Sequence, residues 1–344
     1  MKKTLFMLAV ASLAMTACTN TEEVEQGFAQ TSKQIGFVSH VNKNTRALIN
    51  DNFEQFSVFG SYTKGTSTIP VQIFNKTVVT KGENGWNYTD EARYWIQDAT
   101  YTFYAYSKKN GVTNTTRFEG ASLTLDGYVV DGTEANQKDL VFAEAKNIIG
   151  KESGNEKVPF DFKHILSKIA FNFTSNFPKD YTVTVDQVLI RNMRDKGTFT
   201  ASTGTWGGQF RSTGDDIENP DDMLTINVTT PDNTLAKDES IETGFIYVLP
   251  FAYQSPNVRL YFRLTIKNGL GEKVSQKVNF GAFKPTWEKG KAYRYNVTLT
   301  GEEAGLEKIE FTTDKDMNLD GWETGTDNIE FNFGSQVETP TPEA

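Results

Sequence analysis

The sequence predicts an all-β protein, built either as a sandwich or as a barrel. Three runs, at positions 101–106, 181–185 and 258–266, are rich in β-branched and aromatic residues. In the last run the alternate residues are apolar and share one face of a strand, namely Val258, Leu260, Phe262, Leu264 and Ile266. Many short strands of this kind are typical of sandwiches and barrels.

Turn residues separate these runs. We expect turns at Lys109-Asn110-Gly111, Asp126-Gly127 and Lys267-Asn268-Gly269, because glycine and asparagine tolerate the backbone angles that tight turns need. Sustained helical periodicity is missing from the sequence, and we expect at most a single helical turn within 133–140.

Composition limits the possible functions. The 344 residues suggest about two domains, and 25 Phe with 13 Tyr supply enough apolar surface for a core. The net charge is −9, without a cluster of Lys and Arg to displace counterions from phosphates. We therefore predict that the chain does not bind nucleic acid.

Catalytic residues are scarce. The single cysteine, Cys18, excludes disulfides and zinc ribbons, and the two histidines, His40 and His164, leave little for a catalytic triad. Paired carboxylates do not stand out, and no glycine-rich phosphate loop follows a strand. We predict a protein that is not an enzyme and needs no cofactor, with His164 packed or hydrogen-bonded at the end of a strand.

Residues 1–18 form a predicted signal peptide. Lys2 and Lys3 precede an apolar stretch, 5–15, that is too short to span a bilayer. The signal peptide ends in Ala17-Cys18, which resembles the bacterial lipoprotein box, and this resemblance implies acylation of Cys18 and an outer-membrane anchor. The alternative is an ordinary signal peptide with an incidental cysteine. The acidic segment 21–25 resembles the surface-export signal of Bacteroidetes lipoproteins.

We divide the mature chain near residue 165. A polar loop at 151–157 precedes this boundary, and a longer polar loop is expected at 212–222. The expected parts are 47–165, 166–336 and a disordered tail, 337–344.

The segment 160–169, Phe-Asp-Phe-Lys-His-Ile-Leu-Ser-Lys-Ile, resembles a mid-chain motif of the fimbrillin family of Bacteroidetes. Other features occur in the same order as in that family. They are Thr45-Arg46-Ala47, Val58-Phe59-Gly60, Tyr94-Trp95, Val248-Leu249-Pro250 and the nine residues 287–295.

The resemblance implies two tandem transthyretin-like antiparallel β-sandwich domains, preceded by a propeptide, 19–46, that contains the first strand. It also implies a subunit of surface fimbriae. Stalk subunits of that family are cut after the first strand by an arginine-specific protease, and a C-terminal strand of the next subunit fills the groove that is left. Tip and anchor subunits share the fold but omit parts of this cycle. The implied partners are other fimbrial subunits, the protease, the outer membrane, and host or bacterial surface ligands.

Processing is predicted between Arg46 and Ala47. These residues lie in a polar segment between the strand-like runs 34–41 and 53–59. An Arg-Ala pair is common in loops, so the prediction depends on the family resemblance. In the first strand, Ile35 and Phe37 are expected to share one face.

The predicted donor strand carries Ile329, Phe331 and Phe333 on one face. The same Ile-x-Phe pattern occurs at 169–171 and 309–311, so the pattern alone does not identify the donor. Its place before the C-terminal tail favours 328–334, with 309–313 as the alternative.

Residues 316–327 approach the spacing of a calcium loop, with candidate ligands Asp316, Asn318, Asp320 and Asp327. Strands rather than helices are expected on either side, and the twelfth position is Asp rather than Glu. We therefore favour a solvated hairpin loop over a metal site.

The sequence thus predicts a fimbrial stalk subunit that polymerises by strand exchange. One alternative is a tip or anchor subunit. Another is a surface glycan-binding β-sandwich, in which exposed tyrosines and tryptophans stack on sugars, the tryptophans being Trp86, Trp95, Trp206, Trp287 and Trp322. Core positions are commoner for tryptophan.

Overall fold

The computed structural model describes residues 34–40, 53–107, 115–210, 224–228, 234–250, 259–271, 273–280, 285–302, 305–315, 317, 319 and 322–326. These residues form strands and loops with one 3-10 turn, Glu134–Asn136. The predicted all-β class is confirmed, as is the single helical turn within 133–140. Across these ranges, no helix is long and apolar enough to cross a membrane.

Ten strands precede or reach the predicted boundary: β1 Phe37–His40, β2 Gln55–Lys64, β3 Val71–Gly82, β4 Gly85–Asn87, β5 Ala99–Ser107, β6 Thr115–Glu119, β7 Ser122–Val129, β8 Val141–Ile149, β9 Val158–Asp161 and β10 Lys163–His164. The strands that follow it are β11 Ser167–Ser175, β12 Thr182–Met193, β13 Lys196–Thr200, β14 Thr205–Phe210, β15 Leu224–Val228, β16 Thr234–Leu235, β17 Ser240–Glu242, β18 Ile246–Val248, β19 Arg259–Lys267, β20 Lys273–Phe280, β21 Lys291–Glu302, β22 Gly305–Thr313 and β23 Glu323–Thr324.

A six-stranded antiparallel sheet, in the order β10-β8-β5-β2-β3-β4, organises the first half of the chain. Its strand β5 contains the run predicted at 101–106 and is apolar on both faces. Phe103 packs into the amino-terminal core, whereas Tyr104 and Tyr106 pack into a separate central core. A sheet that is covered on both faces has strands without polar alternation, as in β5.

The carboxy-terminal core lies between two further sheets, in the orders β17-β11-β21-β22 and β15-β12-β19-β20. In β19 the alternate residues Leu260, Phe262, Leu264 and Ile266 are buried, as their pattern predicts. Strands β11 and β21 pair in parallel, which departs from the expected antiparallel order. More than a hundred residues separate these two strands in sequence, so the chain has ample length for a crossover connection.

A four-stranded sheet, in the order β14-β13-β7-β6, takes two strands from each side of residue 165. Its buried face contributes Leu125 and Phe199 to the central core. Asp126-Gly127, expected as a turn, instead lies within β7, so that expectation was wrong. Gly127 has a φ of +67°, and the register with β13 shifts there, so the glycine supports a bulge rather than a reversal.

Buried contacts of His164 and Gln137 lie beside the central core and join the two halves of the chain through Trp322 and Tyr247. The Nδ1 atom of His164 lies 2.5 Å from Oδ2 of Asp139, and both residues are 3% exposed. The His164 ring stacks on Trp322, with 4.1 Å between centroids. Gln137 accepts a hydrogen bond from the backbone N–H of Tyr247 and donates one to its carbonyl oxygen. His164 is therefore packed and hydrogen-bonded, as expected.

Candidate functional site: the groove of the first strand

The first strand lies along β9 in a two-stranded parallel ladder. Phe37 is in register with Val158 and His40 with Asp161. The Val158 N–H donates to the carbonyl oxygen of Gly36 at 2.8 Å. The alternation Ile35-x-Phe37 places both apolar side chains on the inner face, where they are 0% and 1% exposed.

Phe37 is the main apolar contact of this strand. Its ring stacks on Phe160 with 5.6 Å between centroids, and meets Phe74 and Phe103 edge-on at 5.2 and 5.9 Å. Burial of one such side chain stabilises by about 1.5–3 kcal/mol, and aromatic pairs add about 0.5–1.5 kcal/mol. The walls of the groove therefore select a large apolar residue at this position.

Polar contacts fix the start of the strand. The backbone N–H of Ile35 donates to the Arg93 carbonyl oxygen at 2.7 Å, and the Tyr88 hydroxyl donates to the Ile35 carbonyl oxygen at 2.9 Å. Gln34 forms an isolated bridge with Tyr94. On the side of the first strand, all of these contacts use backbone atoms, so another strand of similar shape would find the same partners.

In the described part of the chain, β9 pairs with β1 alone. Pro159 lies at the middle of β9 and has no N–H. Alternate residues of a parallel strand donate to the same neighbour, so the backbone N–H groups of Val158 and Phe160 point toward β1. The N–H that Pro159 lacks would point to the opposite edge of β9. Removal of β1 would thus leave an open edge and an exposed aromatic wall made of Phe74, Phe103 and Phe160.

The predicted processing and anchoring residues, Cys18, Arg46 and Ala47, lie outside the described residues, as do Ile329, Phe331 and Phe333 of the predicted donor strand. Strand β1 ends at His40, before Arg46 in the sequence. Any cleavage between Arg46 and Ala47 therefore separates the whole of β1 from the rest of the polypeptide.

The alternative donor segment, 309–313, belongs to β22, which pairs with β21. Ile309 is buried in the carboxy-terminal core, and Phe311 packs against it. This segment therefore completes the subunit's own sandwich.

The four calcium candidates, Asp316, Asn318, Asp320 and Asp327, also lie outside the described residues. Between them, Met317 and Trp322 are buried in the central core, with Leu319 packed against it. The Met317 N–H donates to the Thr324 hydroxyl at 2.9 Å. Where the structure is described, no three His, Cys, Asp or Glu residues are grouped as a metal site would require.

All five tryptophans pack into cores. Trp95, Trp287 and Trp322 are buried, while Trp86 and Trp206 are partly buried against the amino-terminal and central cores. They do not form the exposed sugar-stacking platform that the glycan-binding alternative requires.

The sequence did not predict the walls of the groove. The Val158-x-Phe160 alternation predicts a strand, but it does not identify β1 as the partner of that strand.

The family model for fimbrillin-like proteins matches residues 45–315, and the chain belongs to that family. Membership in this fimbrillin-like family makes the chain a fimbrial subunit of the cell surface. A comparison with curated proteins gives no match.

A solved fimbrial protein shares the fold of this chain, and two further structures are more distantly similar. A fimbrial protein from Bacteroides vulgatus is 17% identical, with a TM-score of 0.60, over 82% of this chain and 98% of that chain. A candidate cell adhesion protein from Bacteroides ovatus is 16% identical, with a TM-score of 0.47, over 81% and 96%. The fimbrial anchor protein Mfa2 from Porphyromonas gingivalis is 10% identical, with a TM-score of 0.34, over 84% and 98%.

Proposed function

We propose that this chain is a stalk subunit of surface fimbriae and that it polymerises by exchange of its first strand. An arginine-specific protease cleaves between Arg46 and Ala47, β1 leaves the groove, and a C-terminal strand of the next subunit takes its place. The observation that carries the proposal is the position of β1. It fills an apolar groove, yet after cleavage only non-covalent contacts would hold it there.

The incoming strand is the segment that carries Ile329, Phe331 and Phe333. Its alternation matches that of Ile35 and Phe37, and pairing through the backbone does not depend on sequence. The competing segment in β22 would have to leave the carboxy-terminal core first, where Ile309 is 3% exposed. That cost favours 328–334.

Export of the protein depends, on this proposal, on the predicted signal peptide, residues 1–18. On this proposal Cys18 is acylated and anchors the precursor in the outer membrane, and the protein has a structural and adhesive role without catalysis. Cys18→Ala should abolish acyl labelling and release the protein from the membrane fraction. Unchanged labelling would contradict the anchor.

The direct test is Arg46→Ala in the full chain. The variant should fold like the wild type and should not polymerise after treatment with an arginine-specific protease, because β1 stays covalently attached. Lys43→Ala is the matched control: it removes a cation from the same segment and should polymerise normally. Gel ladders without full denaturation and electron microscopy measure the outcome.

Two results would contradict the stalk assignment. One is normal polymerisation of Arg46→Ala. The other is a wild-type chain that is cleaved after Arg46 yet remains monomeric, which would favour a tip or anchor subunit.

A further inference from the structure

The residue just before strand β1 leaves an empty position beside a lysine. Gly36 lies between Ile35 and Phe37, on the outward face. A Cβ added at Gly36 would lie 3.2 Å from Cγ of Lys157 and 3.6 Å from its Cδ and Cε. The φ of Gly36 is outside the left-handed region, so any residue could adopt it, and the exposed Lys157 side chain can shift to make room. Lys157 forms no ion pair with another residue of the described ranges.

A position within β1 also fits its surroundings poorly. Ser39 is in register with Phe160, and its hydroxyl is buried without a hydrogen-bond partner in the described part of the chain. Burial of a hydroxyl without a partner is unfavourable, whereas an apolar side chain at the same place would gain contact with the aromatic wall. The groove is therefore not ideally matched by the strand that fills it.

The C-terminal sequence matches the groove better at both positions. Residues 329–333, Ile-Glu-Phe-Asn-Phe, align with Ile35-Gly36-Phe37-Val38-Ser39. In this register Ile329 and Phe331 take the two apolar positions, Glu330 comes beside Lys157, and Phe333 replaces Ser39. The segment 309–313, Ile-Glu-Phe-Thr-Thr, would place a threonine at the position of Ser39, and its Glu310 already pairs with Lys308 at 2.5 Å.

We infer that residues 329–333 of a second copy of this chain pair in parallel with β9 in this register, and that the Lys157–Glu330 contact determines register and partner choice. This inference rests on the proposed strand exchange and names its recognition element. Opposite charges on neighbouring strands attract, and a shift by one residue would turn every apolar side chain outward. The groove therefore accepts strands with an acidic residue between two large apolar ones.

Disulfide trapping tests the register. Neighbouring strands lie about 4.8 Å apart, within the range of Cα separations that a disulfide bridges. In a full chain with Cys18→Ala, the pair Lys157→Cys and Glu330→Cys should give a covalent ladder on non-reducing gels after cleavage by the protease. The controls pair Lys157→Cys with Glu310→Cys or with Asn332→Cys, and their ladders should be at least about fivefold weaker. Asn332 lies two residues further along the donor strand, a step of roughly 6.6 Å. Glu310 belongs to β22, which pairs with β21 of its own subunit.

Charge exchange tests partner choice. Lys157→Glu and Glu330→Lys should each slow polymerisation by about fivefold, and the two together should restore the wild-type rate. Glu310→Lys should have no effect. A wild-type chain that does not polymerise contradicts the proposed function and this inference together. Normal polymerisation with equal ladders for all three cysteine pairs, or without rescue in the double variant, overturns the inference alone.

Discussion

The groove of the first strand and the central core both bury clusters of aromatic rings, but they are closed in different ways. The groove is closed by β1, a strand of four residues that pairs with β9 on one side. The central core is closed by a sheet that takes β6 and β7 from one half of the chain and β13 and β14 from the other. A single cleavage can therefore release the cover of the groove, whereas no single cleavage releases the cover of the central core. On the proposed mechanism, the groove exchanges its covering strand, whereas the central core keeps its covering sheet.

The largest effect is expected in the central core. His164→Ala removes the stack on Trp322 and one partner of the buried Asp139 carboxylate. Loss of a buried hydrogen-bond partner costs about 1–3 kcal/mol of unfolding free energy, more for a charged group, and the cavity left by the ring adds to this cost. Denaturant titration of the full chain measures it. Lys308→Ala, which breaks an exposed pair with Glu310, should cost less than about 1 kcal/mol. Equal effects of His164→Ala and Lys308→Ala would mean that the contacts of His164 with Asp139 and Trp322 do not stabilise the protein more than an exposed ion pair does.

A smaller and more local effect is expected in the groove. Phe37→Ala removes a ring that contacts Phe74, Phe103 and Phe160, and should cost about 3 kcal/mol. Hydrogen exchange should accelerate in β1 and β9 and remain slow in β13. Val38→Ala, on the outward face of the same strand, is the control. If β13 also loses its protection, the two regions are not independent.

These contrasts follow from what the sequence can and cannot predict. The alternation Ile35-x-Phe37 and the run in β19 depend on neighbouring residues, and both were predicted. The pairing of β7 with β13 depends on residues more than sixty positions apart, and no local pattern encodes it. The bulge at Gly127 was mistaken for a turn because glycine with a positive φ serves in both.

The smallest expected effect concerns Lys168 on β11. Its Nζ lies 4.6 Å from the Phe245 ring centroid, and burial lowers the pKa of this lysine, partly offset by the charge of Asp139. Because its pKa is lower in the folded state, the penalty on the charged form is present at neutral pH. It is relieved as the pH rises through the folded pKa toward the ordinary value of 10.5.

The stability of the wild type relative to Lys168→Met should therefore increase as the pH is raised from 7 toward 10. Thermal melts of both proteins at each pH measure the difference, and Lys151→Met, at an exposed lysine, is the control. A difference that stays constant or falls with rising pH would show that the aromatic rings, rather than desolvation, dominate the environment of Lys168.

The central claim, that β1 is the exchangeable strand, is tested most directly by the identity of the first residue in assembled subunits. Polymers purified from cells should be digested and their N-terminal peptides sequenced by mass spectrometry. The account predicts subunits that begin at Ala47 and lack the peptide that contains Ile35 and Phe37. Polymers whose subunits retain that peptide, covalently or in stoichiometric amount, would contradict it.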